Sequence, residues 1–353
     1  MESLSTVRQL LEERRARRTI IEAPTEAIGL DEDGKLRVNG ETFTLGRDAE
    51  NVLAIRAGIP RDFFAALHPP IKGLLFEHLY RPAAANAVRE RRLHRSTGLI
   101  LEDGKRCVGI VDPGLACLSG DDVLQATLAA KPRAIDEARL EVPDFRLNGD
   151  IHVSIVSLAL ETQPRPGDIV YAGIDIRHSD NAVFATQIES YLFRLVCRNG
   201  MLMKICRHTG TLPMRLRRAA VHNPRLTLQR VEEMATVAWA ELDAKIEAIR
   251  LLADERQDNS AAIIRALGEK LRFPNRLIED IVRALEEDEG SPTGTLWDIV
   301  GAISRVGTHS DRLSVATRRF LQELSGDLVA ERVQRCPTCG KLDLHRGRLL
   351  PRR

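Results

Sequence analysis

Residues 168–200 read DIVYAGIDIRHSDNAVFATQIESYLFRLVCRNG: two apolar-rich runs joined by Ser-Asp-Asn-Ala. In the second run Phe184, Ile188, Leu192 and Val196 fall on one face, while Gln187 and Glu189 fall on the other. That pattern fits a long strand with one face buried; a spacing of four also fits a helix, and the strand is the reading adopted. Arg194 interrupts the apolar face near its end, and Asn199-Gly200 breaks the element. The expected unit is a pair of long strands joined by a short polar turn.

Working outward, the same hairpin logic recurs. Asp33-Gly34 separates AIGL from KLRV, and Asn39-Gly40 separates KLRV from ETFTL. Asp103-Gly104 stands between TGLIL and RCVGIV, and Asn148-Gly149 between VPDFRL and DIHVSIV. Asn-Gly and Asp-Gly tolerate the positive φ that two-residue hairpin turns require, so these four sites argue for antiparallel pairing. Helical stretches lie between them: residues 2–18 with a Leu4, Val7, Leu11 stripe, DAENVLAIRAG ending at Gly58, IPRDFFAAL, PIKGLLFEHLY, and a segment over 120–129 capped by Ser119. Strands and helices do not alternate as βαβ units, which points to α+β with a mainly antiparallel sheet and flanking helices.

After residue 226 the pattern changes. Val231, Met234, Ala238, Leu242, Ile246 and Ile249 recur at helical spacing, and further helices are expected over 260–271, 275–287, 295–307 and 311–329. Trp239 and Trp297 are expected in the core. The organisation read from the chain is an N-terminal helix (1–25), an α+β core domain (26–225), an all-α subdomain (226–330) and a short basic zinc-knuckle-like tail (331–353).

An apolar content of 43% supports a packed core. No apolar run approaches the roughly 20 residues needed to cross a bilayer, and MESLSTVRQLLEERRARR has no apolar signal-peptide region. Six cysteines in 353 residues suit a reducing cytoplasm, the expected location, with no membrane partner. The net charge is only +2, but it is unevenly placed. Residues 190–231 hold nine basic side chains and no acid, and residues 332–353 balance to +6, which leaves the rest of the chain at −13. Such asymmetry can guide an anionic partner to one place.

Arg194, Arg198, Asn199, Lys204, Arg207, His208, Arg215, Arg217 and Arg218 are therefore the candidate nucleic-acid contacts. Phosphates call for Arg or Lys, and an acid-free run removes local repulsion. The competing reading pairs these arginines with the protein's own carboxylates. Tyr191 and Phe193 make a weak base-stacking platform. Cys197 and His208 contain the ingredients of a nucleophile–base pair, but free Cys on a strand is usually a small core residue. In CPTCGKLDLH, Cys336 and Cys339 stand at the two-residue spacing of a zinc knuckle, with His345 as a third candidate ligand for Zn2+. A fourth ligand would come from His309, water or a second chain. Free thiols are the alternative; redox chemistry is disfavoured because the motif follows a helix instead of opening one. No phosphate loop, dinucleotide fingerprint, HExxH or GxSxG motif occurs.

The stretch quoted first also resembles the phage/plasmid-like protein family, a family of unknown function. Gly173, Ile174 and Ser179 match its first element, and Arg194, Cys197, Asn199 and Gly200 match its Arg-Leu-Val-Cys-x-Asn-Gly segment. RDAENVLAIRAGIPRDFF, RCVGIVDPGLACLSGDDVL and LWDIVGAISRVGTHSDR are also similar, so the resemblance covers roughly residues 40–330 and leaves out the CPTCG tail. His178 replaces an Asn common in the family, and Leu115 lies near the place of a family tyrosine. The resemblance implies a role in the biology of phages, plasmids or integrated elements. DNA recombination or repair such as single-strand annealing fits that setting by analogy alone. The expectation is a non-enzymatic DNA-binding protein, single- or double-stranded, that forms a homo-oligomer. The alternatives are a protein-interaction module that antagonises host defence, or a nuclease-type enzyme using Cys197, His208 or scattered carboxylates.

Overall fold

A computed structural model describes residues 2–89, 96–113, 115, 117–148, 150–181, 185–194, 199–203, 223–289 and 294–333. The protein is α+β, with two main sheets. The first has the order β1 (Arg18–Pro24), β5 (Ser96–Glu102), β6 (Arg106–Val111), β4 (Glu41–Leu45), β3 (Leu36–Val38), β2 (Gly29–Leu30). Its pairs are antiparallel except β4–β6, which is parallel, so this sheet is mixed. The second is an antiparallel meander in the order β11 (Asn199–Met203), β10 (Gln187–Arg194), β9 (Asp168–His178), β8 (Asp150–Arg165), β7 (Leu140–Asn148). A two-stranded ribbon pairs β12 (Arg256–Gln257) with β13 (Gly294–Thr295).

All four Asn-Gly and Asp-Gly sites lie between paired antiparallel strands. Asn39, Gly40, Asp103 and Gly104 take φ of 50°, 87°, 51° and 62°, the left-handed turn conformation that those residues tolerate. Within the stretch 168–200, Asp168–His178 and Gln187–Arg194 are strands, as expected. Ile188 and Leu192 face the core, and Gln187 and Glu189 take the other face.

The N-terminal helix, α1 (Leu4–Ala16), buries Leu4, Val7 and Leu11 as expected. It stops earlier than residue 25, because Arg18–Pro24 forms strand β1. Thr19, Ile20 and Ile21 are β-branched and favour the extended pairing with β5. Helices α2 (Arg47–Arg56), α3 (Arg61–Ala66) and α4 (Pro69–Arg89) pack on the first sheet around Leu53, Phe64, Phe76 and Leu99. Helix α5 (Gly120–Ala129) begins with a Ser119/Asp122 capping box.

The C-terminal helices are α6 (Pro224–Ala240), α7 (Leu242–Asp254), α8 (Ser260–Lys270), α9 (Asn275–Glu289), α10 (Leu296–His309) and α11 (Val315–Val333). They share one continuous core with α1, α5 and the inner face of the second sheet. Trp239 and Trp297 are both buried in it. Trp239 Nε1 donates to the Thr127 carbonyl at 3.0 Å and Trp297 Nε1 donates to Asp168 at 2.9 Å, so each indole also satisfies its polar atom across elements. Among the described residues no helix is long and apolar enough to cross a membrane.

Candidate functional site

Strand register brings charged groups into one row at the end of the first sheet. Arg18 lies opposite Glu102 and Glu102 opposite Arg106, so three cross-strand neighbours share one face. Arg14 projects from the last turn of α1 into the same place. Helix α2 closes the far side. Its cap residue Gly46 donates to the Cys107 carbonyl at 2.7 Å, and a Cβ there would stand 3.2 Å from that oxygen. Asn181, just after β9, also lines this place. The result is a polar cleft of about 550 Å³ between the two sheets, lined by Arg14, Arg18, Arg47 and Arg106 together with Asp48, Glu102, Asp150 and Asn181.

Asp180 organises the arginine side. Its carboxylate accepts from the Gly120 amide at 2.7 Å, at the start of α5, where the helix dipole favours negative charge. The same carboxylate meets Arg14 Nε at 2.9 Å and Arg18 Nη1 at 3.2 Å. His178 Nε2 lies 2.9 Å from the Leu118 carbonyl and therefore carries the proton; Asp180 is 3.3 Å from the same nitrogen. Thr186 completes the ring at Nδ1, 2.9 Å away. Burial alone would raise the Asp180 pKa, but His178, Arg18 and Arg14 outweigh it and hold the carboxyl below its ordinary value. Arg18 is lowered, first by burial and then by the neighbouring charge of Arg14. Arg14 and Arg18 thus share the buried Asp180 carboxylate, Glu102 and Asp48 also act on Arg18, and Arg18 Nε has no hydrogen-bond partner among the described residues.

Acidic groups line the cleft as well. Burial and the nearby Asp48 charge push the Asp150 pKa up. Asn181, only 4% exposed, donates Nδ2 to Asp48 at 2.8 Å. A carboxylate can only accept, so this contact fixes the amide orientation and leaves Oδ1 as the unsatisfied buried atom. Chemically the cleft offers cationic donors and carboxylate acceptors side by side.

Two other polar clusters carry chemically useful groups. On the outer face of the second sheet, His152 Nε2 lies 2.7 Å from Asp175 and Nδ1 lies 3.3 Å from Asp144. Burial alone would lower the His152 pKa, but the two carboxylates raise it to about 9. Ser154 donates to Asp175 at 2.6 Å, so the serine serves the carboxylate and not the imidazole. On the inner face, Lys245 Nζ donates to Ser190 Oγ at 2.6 Å, a nucleophile–base pairing by type. Both residues are closed from solvent, at 4% and 0% exposure, which assigns the pair to the core.

Of the residues singled out from the sequence, Arg194 ends β10 and Asn199 begins β11, paired with each other in register. They sit at the opposite end of the sheet from the β9–β10 turn. Cys197, Arg198, Lys204, Arg207, His208, Arg215, Arg217, Arg218, Cys336, Cys339 and His345 lie outside the described residues. His309 closes α10. Among the described residues no group of three His, Cys, Asp or Glu side chains is placed to hold a metal. Tyr191 and Phe193 are 5% and 8% exposed, which removes them as an open stacking platform. Cys107 and Cys117 have pKa values pushed up by burial to about 12 and about 11, so neither is an activated nucleophile.

Sequence reading took RHSDN only as a strand end and turn. Its one visible signal was the density of His, Ser, Asp and Asn in four residues, more than a two-residue turn needs. The partners Arg14, Arg18 and Asp48 come from distant segments and leave no local spacing to find. No family model, curated protein or solved structure matches the chain.

Proposed function

We propose that the protein binds nucleic acid without catalysing a reaction, in the mobile-DNA setting that the family resemblance implies. The observation that supports this best is the set of four arginines, Arg14, Arg18, Arg47 and Arg106, that lines an open cleft. Phosphate is the anion that arginine matches geometrically, and these guanidiniums stand among the carboxylates Asp48, Glu102 and Asp150. The acid-free run over 190–231 adds a second source of positive charge. Together they suit a polyanion that extends beyond one pocket.

The test is binding of labelled single- and double-stranded DNA across a salt series. If six of the nine basic groups of 190–231 meet duplex phosphates, the log–log slope is roughly −5. Charge reversal at Arg215, Arg217 and Arg218 is expected to weaken binding on all sequences alike, because phosphate contacts carry little sequence information. Absent or salt-independent binding rejects the reading. Purification with an acidic protein and without nucleic acid points instead to an interaction module. In the same reading Cys336, Cys339 and His345 hold Zn2+, and equal zinc in wild type and Cys336→Ser removes that assignment.

A further inference from the structure

We infer that strand β1 is a docking edge for a second copy of this chain, the two β1 strands pairing antiparallel about a two-fold axis at Ile20. The inference is independent of the nucleic-acid reading. Strand β1 ends the first sheet and, among the described residues, pairs only with β5. The Asp103 amide donates to the Arg17 carbonyl at 2.8 Å, which fixes the phase of the β1–β5 ladder. Thr19, Ile21 and Ala23 turn their backbone groups toward β5, while Arg18, Ile20 and Glu22 turn theirs outward. Thr19, Ile20 and Ile21 are β-branched and favour a paired strand, yet Ile20 is 50% exposed, with Thr19 and Glu22 exposed beside it. The other sheet edges are blunted. Strand β2 has two residues, both buried, and α4 packs against it. Strand β7 carries Pro143 and a register shift, and the Glu2 amide donates to its Val142 carbonyl at 3.2 Å. Strand β11 lies against α11.

The residues of β1 fit their own copy in one register. Pairing through Ile20 covers each exposed Ile20 with its counterpart and sets Arg18 opposite Glu22 of the partner subunit, once on each side of the axis. Each Ile20 exchanges two hydrogen bonds with its counterpart, and each Arg18 two with Glu22 of the partner subunit. Pro24, which has no N–H to give, falls beyond the last paired residue, because α1 occupies the chain before Arg17. Among the described residues Glu22 has no ion-pair partner, whereas Arg18 shares the Asp180 carboxylate with Arg14. A shift of two residues in either direction breaks both Arg18–Glu22 pairs, and parallel pairing sets like charges side by side. Charged residues blunt an edge against indiscriminate pairing, and here their opposite signs leave one register attractive.

The experiment measures the mass of the full chain by sedimentation across a concentration series, where a reversible dimer is expected. Ile20→Pro removes an outward N–H and no bond to β5, so it is expected to keep cooperative unfolding and give a monomer. Glu22→Lys faces Arg18 of the partner subunit with a like charge and is expected to weaken the dimer about tenfold. Disulfide capture reads the register, with the wild-type chain as the control for its own cysteines. Ile20→Cys meets its counterpart at a Cα separation of about 5.5 Å and is expected to form a covalent dimer on mild oxidation. Glu22→Cys lies four residues along from its counterpart, about 13 Å away, and is expected to stay uncaptured. A chain that is monomeric at every concentration overturns the proposal. So does a dimer that Ile20→Pro leaves intact, or one captured through Glu22→Cys and not through Ile20→Cys. If Ile20→Pro fails to fold, the capture pair and Glu22→Lys decide: capture at Ile20→Cys with a weakened Glu22→Lys dimer supports the edge, and neither effect overturns it.

Discussion

Asp180 is 7% exposed and neutralises two arginines that burial has already stripped of most of their water. Removing one partner of a buried ion group leaves the others uncompensated, typically at a cost of about 3–5 kcal/mol. Asp180→Asn is expected to lower stability by that order in urea denaturation, even though the amide retains the shape. A loss below about 1 kcal/mol would mean that solvent in the cleft already screens Arg14 and Arg18. His152 makes stability depend on pH. Its pKa rises from 6.5 unfolded to about 9 folded, so its contribution is complete below about pH 6.5 and is lost as pH rises through 9. Unfolding free energy should fall between pH 7 and pH 9.5 by an amount on the order of a few kcal/mol. In His152→Gln that slope should flatten. The facing charges are Asp175 and Asp144, with Arg146 bonded to Asp144 at 3.0 Å.

At the level of elements, Gly173 controls how β9 crosses β8. A Cβ there would stand 1.8 Å from the Ile155 carbonyl oxygen and 2.6 Å from the Val156 Cα, both backbone atoms that cannot rotate away. Gly173→Ala should therefore exceed the roughly 1–3 kcal/mol typical of overpacking, read as a fall in melting temperature or loss of soluble protein. Much of the element pattern was legible. Asn-Gly and Asp-Gly pairs marked four hairpins, because the positive φ is a local demand that local residues must meet. The β8–β9 turn at Pro166-Gly167, with Gly167 at φ 82°, was less visible because Pro-Gly marks a turn without specifying a hairpin. The break between α6 and α7 at Glu241 was hidden for another reason. The cap residue keeps helical dihedrals, and the apolar spacing runs through it from Ala238 to Leu242 and Ile246.

For the whole molecule, one continuous core joins the second sheet to the six C-terminal helices. Ile174, Ile188 and Leu192 are buried together with Val231, Ile249 and Leu328. A chain ending at residue 223 loses the cover of that sheet face and is expected to bind a hydrophobic dye and unfold without cooperativity. Sharp two-state unfolding of that fragment would show that the α+β part stands alone. The composition change near residue 226 is real, but it marks a change of secondary structure and not a division of the core.

The amino-acid sequence by itself determined the turns, the helix caps, the alternation of 168–200 and the segregation of charge, because each depends on neighbours within a few positions. Only the tertiary structure decided where the cleft lies. Arg18, Glu102 and Arg106 become neighbours through strand register, and Arg14, Asp48 and Asp180 meet there from three other segments. Desolvation makes that meeting chemically consequential: the same charges spread along an unfolded chain would be fully hydrated, and it is their shared burial that leaves Arg18 and Asn181 with unmet hydrogen bonds.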